Sequence, residues 1–244
     1  MLRLIPTLFF WLTFMGSGIL FQIILLIHLL FVRTTQQHHR LAQQYRLRWS
    51  AANLRLFFGA GSLSSLRSAS KELPEQFILV SNHRSNLDPL LVFVVGRPLV
   101  FLAKKSVLKT PVIGWWMKLC GDVPVDRGEK TSREQSLALM KERLQTGDSL
   151  LIYPEGTRQT DPNVPLGPFK DGAFHLAAQS GVPIVLLVLN RTDRVWEKGS
   201  LMLNLIPLRW RISQPLASQG RSADELKAQS IEKMLEMVQS LSNP

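Results

Sequence analysis

FILVSNHRSNLDPLL, residues 77–91, is the stretch that decides how this chain folds. Phe77 to Val80 is a short apolar run of β-formers closed by Ser81-Asn82, the pattern of a buried strand running out into a turn. Asp88-Pro89 then has the form of a helix N-cap followed by proline at the first helical position, which predicts helix from Leu90 onward. His83 and Asp88 thereby fall in one strand-to-helix loop. Ligands of open α/β sheets bind outside the carboxyl ends of the strands, so this loop is a candidate site.

The same alternation repeats downstream. Leu99 to Ala103, Ser149 to Tyr153 and Val182 to Leu189 are strand candidates, the last with Pro183 where only a strand start or edge tolerates it. Ser132-x-x-Gln135 opens a helix that presents Leu137, Met140 and Leu144 and stops at Gly147. Ser222-x-x-Glu225 opens a final helix with Leu226, Ile231, Met234, Leu235 and Val238 on one face. The expectation is an α/β domain over residues 73–244, a mainly parallel sheet covered by helices. Residues 59–72, rich in Gly and Ser, read as a linker.

An N-terminal membrane-embedded helical element is expected ahead of that linker, over residues 1–58. No Asp, Glu, Lys or Arg occurs from Leu4 to Val32, a run longer than the ~20 residues that cross a hydrocarbon core. It is too long for a signal peptide, and no small-x-small cleavage site closes it. Gly16 and Gly18 weaken the helix, which leaves open a spanning segment, one embedded in a single leaflet and a re-entrant one. The Arg-rich flank after Val32 points to the cytoplasmic side. Arg40, Arg46, Arg48 and Arg55, interleaved with Tyr45, Trp49 and Phe57, describe a helix lying on an anionic bilayer.

The 244 residues carry a formal charge of +11 and are 45% hydrophobic, enough for a full core and pointing to an anionic partner. Nucleic acid is disfavoured, because no finger, basic zipper or RNA-binding signature accompanies the basic segment. His38-His39 lack further ligands at metal-binding spacing. Cys120, the single cysteine, excludes an internal disulfide and suits a reducing compartment.

His-x4-Asp by itself is also the pattern of a capping aspartate beside a surface histidine. Its company changes the weight. Gly121-Asp122-Val123-Pro124-Val125-Asp126-Arg127 follows, then Tyr153-Pro154-Glu155-Gly156-Thr157-Arg158, then Phe169-Lys170-Asp171-Gly172-Ala173-Phe174, then Gly181-Val182-Pro183-Ile184-Val185. In this order the set resembles the 1-acyl-sn-glycerol-3-phosphate O-acyltransferases, the lysophosphatidic acid acyltransferase family, from about Leu73 to Leu189. The departures are Pro124-Val125, where many members have Phe-Ile, and Leu186-Leu187, where many have a second proline.

The resemblance implies transfer of a fatty acyl group from acyl-carrier protein or acyl-coenzyme A to the sn-2 hydroxyl of lysophosphatidic acid, forming phosphatidic acid without metal or cofactor. It implies acceptor binding by Glu155 and Arg158 and phosphate contacts from Lys105 and Arg127. Two alternatives stand beside this reading: an acyltransferase for another lyso acceptor, and a catalytically silent membrane adaptor that keeps the fold.

The chemistry of acyl transfer accounts for the residue types independently. A glycerol hydroxyl needs a base to take its proton as it attacks a carbonyl, and imidazole is suited to that at neutral pH. A carboxylate on the other ring nitrogen fixes the tautomer and stabilises the imidazolium, so His83 and Asp88 form a candidate dyad if the loop folds back. Gly156 permits close backbone approach and is the candidate oxyanion donor, with Thr157 beside it. Arg158 offers a fork matched to phosphate, against the plainer reading of a surface turn with a Glu-Arg ion pair.

Overall fold

The computed structural model describes residues 3–59, 70–126 and 128–242. In chain order these form α1 (Leu4–Leu29), α2 (Thr35–Phe58), β1 (Ile78–Ser81), α3 (Asp88–Leu91), β2 (Val100–Lys104), α4 (Ile113–Leu119) and β3 (Val123–Val125). They continue with α5 (Lys130–Gln145), β4 (Leu150–Ile152), α6 (Gly172–Ser180), β5 (Ile184–Asn190), α7 (Thr192–Val195), β6 (Arg209–Ile212) and α8 (Ala223–Ser242). Most of the predicted linker, and Arg127, lie outside the described residues.

Among the described residues the strands form a six-stranded sheet of order β3-β2-β4-β1-β5-β6. Pairing is parallel throughout except between β5 and β6. Every position of β1 is buried, which is why its sequence reads as a continuous apolar run rather than an alternation. Its Ile78 and Val80 pack with Met140, Phe174 and Met234 in the layer of α5, α6 and α8. Leu79 faces the other layer, with Phe10, Phe14, Trp49 and Leu90. The mainly parallel α/β architecture expected from the alternation is therefore present.

Short β3 was not anticipated, since Pro124 sits at its centre; nor was β6, whose Arg-Trp-Arg-Ile alternates at the antiparallel edge. The capping box of α8 forms as its spacing requires, with Glu225 N–H donating to Ser222 Oγ at 3.2 Å and Ser222 N–H donating to Glu225 Oε2 at 2.9 Å.

Helix α1 is long and apolar enough to cross a membrane by length and composition. It nevertheless buries one stripe, Thr7, Phe10, Phe14, Gly18, Gln22 and Leu25, chiefly against α2, with local contacts to the domain. Burying a phenylalanine such as Phe10 is worth ~1.5–3 kcal/mol. Gly18 is a contact rather than a weak point, because a Cβ there would lie 2.7 Å from the Val112 side chain. Gln22 Nε2 donates to the Val112 carbonyl at 2.8 Å.

Helix α2 packs one face inward and keeps Arg40, Arg48 and Arg55 exposed, so of the basic residues expected at a bilayer surface Arg46 is the exception. Its Tyr45, Arg46, Trp49 and Leu54 point inward, and Trp49 stacks on Trp116 of α4 at 5.8 Å. Arg46 is buried in a forked pair with Asp122, its Nη2 also donates to the Leu99 carbonyl at 2.7 Å, and its guanidinium lies against the Phe93 and Phe101 rings. Burial opposes the Arg46 charge, but the Asp122 carboxylate outweighs it and holds the guanidinium above its usual range. The carboxylate that draws this arginine inward stands 76 residues away, out of reach of any local reading of charge.

Candidate active site

β4 inserts between β2 and β1, and β5 adds on the far side of β1, so the loops after β1 and β4 emerge side by side from one sheet edge. Val80 is in register with Ile152, which brings the residues following each strand level with one another. The chain leaves β1 at Asn82. Its side-chain amide continues the ladder in place of backbone, donating to the Leu189 carbonyl at 2.9 Å and accepting from Leu189 N–H at 2.8 Å. This anchors the turn that projects His83.

His83 Nδ1 lies 2.8 Å from Asp88 Oδ2. The same oxygen accepts from the Arg84 and Ser85 amides, each at 2.7 Å. These backbone donors define the carboxylate oxygen as an acceptor, so Nδ1 is the ring nitrogen that donates to it. Asp88 is not the N-cap expected from Asp88-Pro89. Leu87 occupies that position, Asp88 is the first helical residue, and its side chain turns back to the loop instead of capping α3.

Two further contacts hold the histidine. The Tyr153 ring stacks on the imidazole with centroids 4.2 Å apart and planes 19° from parallel. Glu155, buried, accepts from His83 N–H at 2.9 Å through Oε1 and from Gly167 N–H at 2.8 Å through Oε2. Burial raises the Glu155 pKa. Burial, and after it the nearby Asp88 charge, push the Tyr153 phenol well above its ordinary value, keeping it neutral. Neither contact was anticipated; both depend on β4 lying next to β1, which no local pattern announces.

The Gly156 amide, the candidate oxyanion donor, already donates to the Tyr153 carbonyl at 3.0 Å in a turn where Gly156 adopts φ +68°. Arg158 makes no ion pair with Glu155; its Nη1 donates to Asn86 Oδ1 at 2.9 Å. Among the described residues, no carboxylate forms a salt bridge with it.

A cavity of about 920 Å³ connects these groups. His83, Tyr153, Thr157 and Arg158 line its wall beside the strand ends, while Phe10, Trp11, Phe14 and Met15 of α1 and Trp49, Phe93 and Trp116 make it largely apolar. Lys104 is the lysine on this wall; Lys105, exposed, begins the turn after β2. Cys120 is fully buried, and burial pushes its thiol up to about 12, which removes it as a nucleophile at neutral pH. No cluster of metal-ligating side chains occurs among the described residues.

Several known proteins are similar to this chain. A chloroplastic 1-acyl-sn-glycerol-3-phosphate acyltransferase of Brassica napus is 33% identical over 215 residues, covering 88% of this chain and 60% of the relative. The corresponding enzyme of Saccharomyces cerevisiae is 32% identical over 155 residues, covering 62% of this chain and 50% of the relative. The chain thus spans between half and three-fifths of the length of these curated relatives. The crystal structure of a 1-acyl-sn-glycerophosphate acyltransferase from Thermotoga maritima superposes with a TM-score of 0.81 at 22% identity, covering 99% of this chain and 97% of that one, a likeness of fold. The Acyltransferase family profile matches residues 66–190, a segment that holds β1 to β5, the His83–Asp88 pair and the Tyr153–Arg158 turn. The chain belongs to the acyltransferase family.

Proposed function

We propose that this acyltransferase moves a fatty acyl group from a thioester, acyl-carrier protein or acyl-coenzyme A, to the sn-2 hydroxyl of 1-acyl-sn-glycerol-3-phosphate, forming phosphatidic acid. The observation that carries this reading is a His83–Asp88 pair opening on an apolar cavity with Arg158 on the same wall. A lipid acceptor presents that combination of demands: a hydroxyl to activate, an alkyl chain to bury and a phosphate to hold. The names of the curated relatives support the same substrate class.

His83 Nε2 takes the hydroxyl proton as the oxygen attacks the thioester carbonyl, and Asp88 stabilises the imidazolium that results. Collapse of the tetrahedral intermediate breaks the carbon–sulfur bond, and the imidazolium returns the proton to the leaving thiolate. No acyl-enzyme is formed. Glu155 acts through the His83 backbone, Arg158 holds the acceptor phosphate, and Lys104 or Lys105 and Arg127 supply further positive charge. The outward face of α1 lies in one leaflet on the cytoplasmic side, its inward stripe being buried chiefly against α2. An assay of purified full-length protein with labelled acyl thioesters and a panel of lyso acceptors tests the assignment; transfer to a neutral lysolipid in preference to lysophosphatidic acid would reassign the acceptor.

Arg158→Ala is expected to raise the KM for lysophosphatidic acid and lower kcat/KM about 10-fold or more, since a charge-assisted fork worth ~1.5–3 kcal/mol is lost. The thioester KM should hardly change, and Arg158→Lys should recover only part. If the variant keeps the wild-type preference for a phosphorylated acceptor over monoacylglycerol, Arg158 does not hold the phosphate.

Tyr153 gives a second, smaller effect. Tyr153→Leu removes the ring from the face of His83, an interaction worth ~0.5–1.5 kcal/mol, and kcat should fall by about 2- to 10-fold with KM values maintained. Tyr153→Phe keeps the stack and deletes a buried hydroxyl that has no hydrogen-bond partner, so turnover and stability should be conserved. Steady-state kinetics in which Phe is as damaging as Leu would assign the role to the hydroxyl instead.

A further inference from the structure

The 196–208 loop between α7 and β6 exposes large aliphatic side chains that the domain does not cover: Leu201 is 74% exposed, Leu205 41% and Met202 38%. This is not a slack segment. Trp11 Nε1 of α1 donates to the Leu201 carbonyl at 2.9 Å, Leu203 N–H donates to Thr7 Oγ1 at 3.1 Å, and Trp196 Nε1 donates to the Ser200 carbonyl at 2.7 Å. Trp11 and Trp196 pack edge to face with centroids 5.0 Å apart. The loop is therefore fastened to the first turns of α1, whose outward residues Leu4, Ile5, Leu8 and Leu12 are exposed as well. Exposed apolar side chains from two separate parts of the chain are thereby held on neighbouring elements.

We propose that the 196–208 loop is a second membrane-contact element, inserting Leu201, Met202 and Leu205 into the same leaflet as the outer face of α1. Two observations favour lipid as the occupant. The loop is hydrogen-bonded to the helix long and apolar enough for a bilayer. Trp11, Trp196 and Leu201 also line the cavity that holds His83, so the apolar surface meets the cavity where a lipid would pass from one to the other. Tryptophan is the residue type enriched at the membrane–water boundary. The inference rests on the reading of α1 as membrane-embedded and deepens the proposed lipid acceptor, which would enter between α1 and this loop without leaving the leaflet.

The test uses the full chain bound to vesicles of equimolar phosphatidylcholine and phosphatidylglycerol. Nitroxides are placed at Met202→Cys and Leu205→Cys, with Ile5→Cys as reference on α1 and Gln214→Cys as reference on the opposite edge of the sheet; Cys120, buried, stays unlabelled. Labels at 202, 205 and 5 are expected to become accessible to oxygen and shielded from a soluble nickel chelate, while 214 remains in water. Labels at 202 and 205 that stay in water on vesicle-bound protein overturn the proposal, whatever the label at 5 does. Labels shielded by protein self-association without vesicles assign the surface to a second copy and overturn it equally.

Leu205→Asp, off the cavity wall, should lower turnover on vesicle-borne lysophosphatidic acid about tenfold and leave turnover on a short-chain, water-soluble acceptor unchanged. Equal loss on both acceptors counts against the loop as a membrane element. If the labels embed but the wild-type protein acylates no lysophosphatidic acid, the membrane contact stands and the proposed acceptor falls.

Discussion

Replacing His83 by alanine is expected to lower acyl transfer by about 10²–10⁴ while the protein folds and binds membrane as before. The loss is that of a general base, because the Asp88 contact leaves His83 Nε2 as the nitrogen that can accept the hydroxyl proton. Folding should survive for a structural reason. Asp88 Oδ2 keeps its bonds from the Arg84 and Ser85 amides when the ring is removed, so no buried carboxylate is stranded. Asp88→Asn should also lose at least about 10² in kcat, since a neutral amide cannot stabilise the imidazolium. Single-turnover acyl transfer and thermal unfolding, measured on the same preparations, separate catalysis from folding. Near-normal turnover in His83→Ala, with an intact unfolding transition, would falsify the dyad mechanism.

Arg46→Ala should be the most damaging substitution for stability, at about 3–5 kcal/mol. Arg46 is only 3% exposed and its guanidinium forks onto Asp122, so its removal leaves a carboxylate in the interior without its counter-charge. The Phe101 amide, which donates to Asp122 Oδ1 at 3.0 Å, does not replace it. The pair also ties α2 to the segment between α4 and β3, and the loss should appear as a lower denaturant midpoint of the whole domain rather than local fraying of α2. A double variant, Arg46→Met with Asp122→Leu, should recover much of the deficit, because replacing both partners removes the uncompensated charge. A denaturant midpoint for Arg46→Ala close to that of wild type would show that the pair contributes little net stability.

Much of this protein was legible without coordinates. The apolar run ending at Ser81-Asn82, the strands near residues 100, 150 and 185, and the Ser222–Glu225 capping box are local patterns, and each formed where its period or spacing placed it. The order of the motifs also carried the family, since they lie within short stretches such as 82–88 and 153–158.

Other features depended on groups far apart in the chain. Arg46 read as a bilayer-facing basic residue until Asp122 was placed beside it, 76 residues on. Asp88 read as an N-cap, yet its side chain satisfies His83 and two loop amides instead of α3. Gly156 read as an oxyanion donor, yet its amide closes a turn on Tyr153. The Tyr153 stack and the Glu155 clamp required β4 to insert beside β1, a choice of strand order made by the whole core. The sequence by itself determined the α/β class, the family motifs and the apolar length of α1, because periodicity, turn preference and charge are written in neighbouring residues. Only the tertiary structure decided which carboxylate holds which donor and which face of α1 the domain occupies, because a hydrogen bond or an ion pair takes its direction from a partner that long-range packing alone brings within reach.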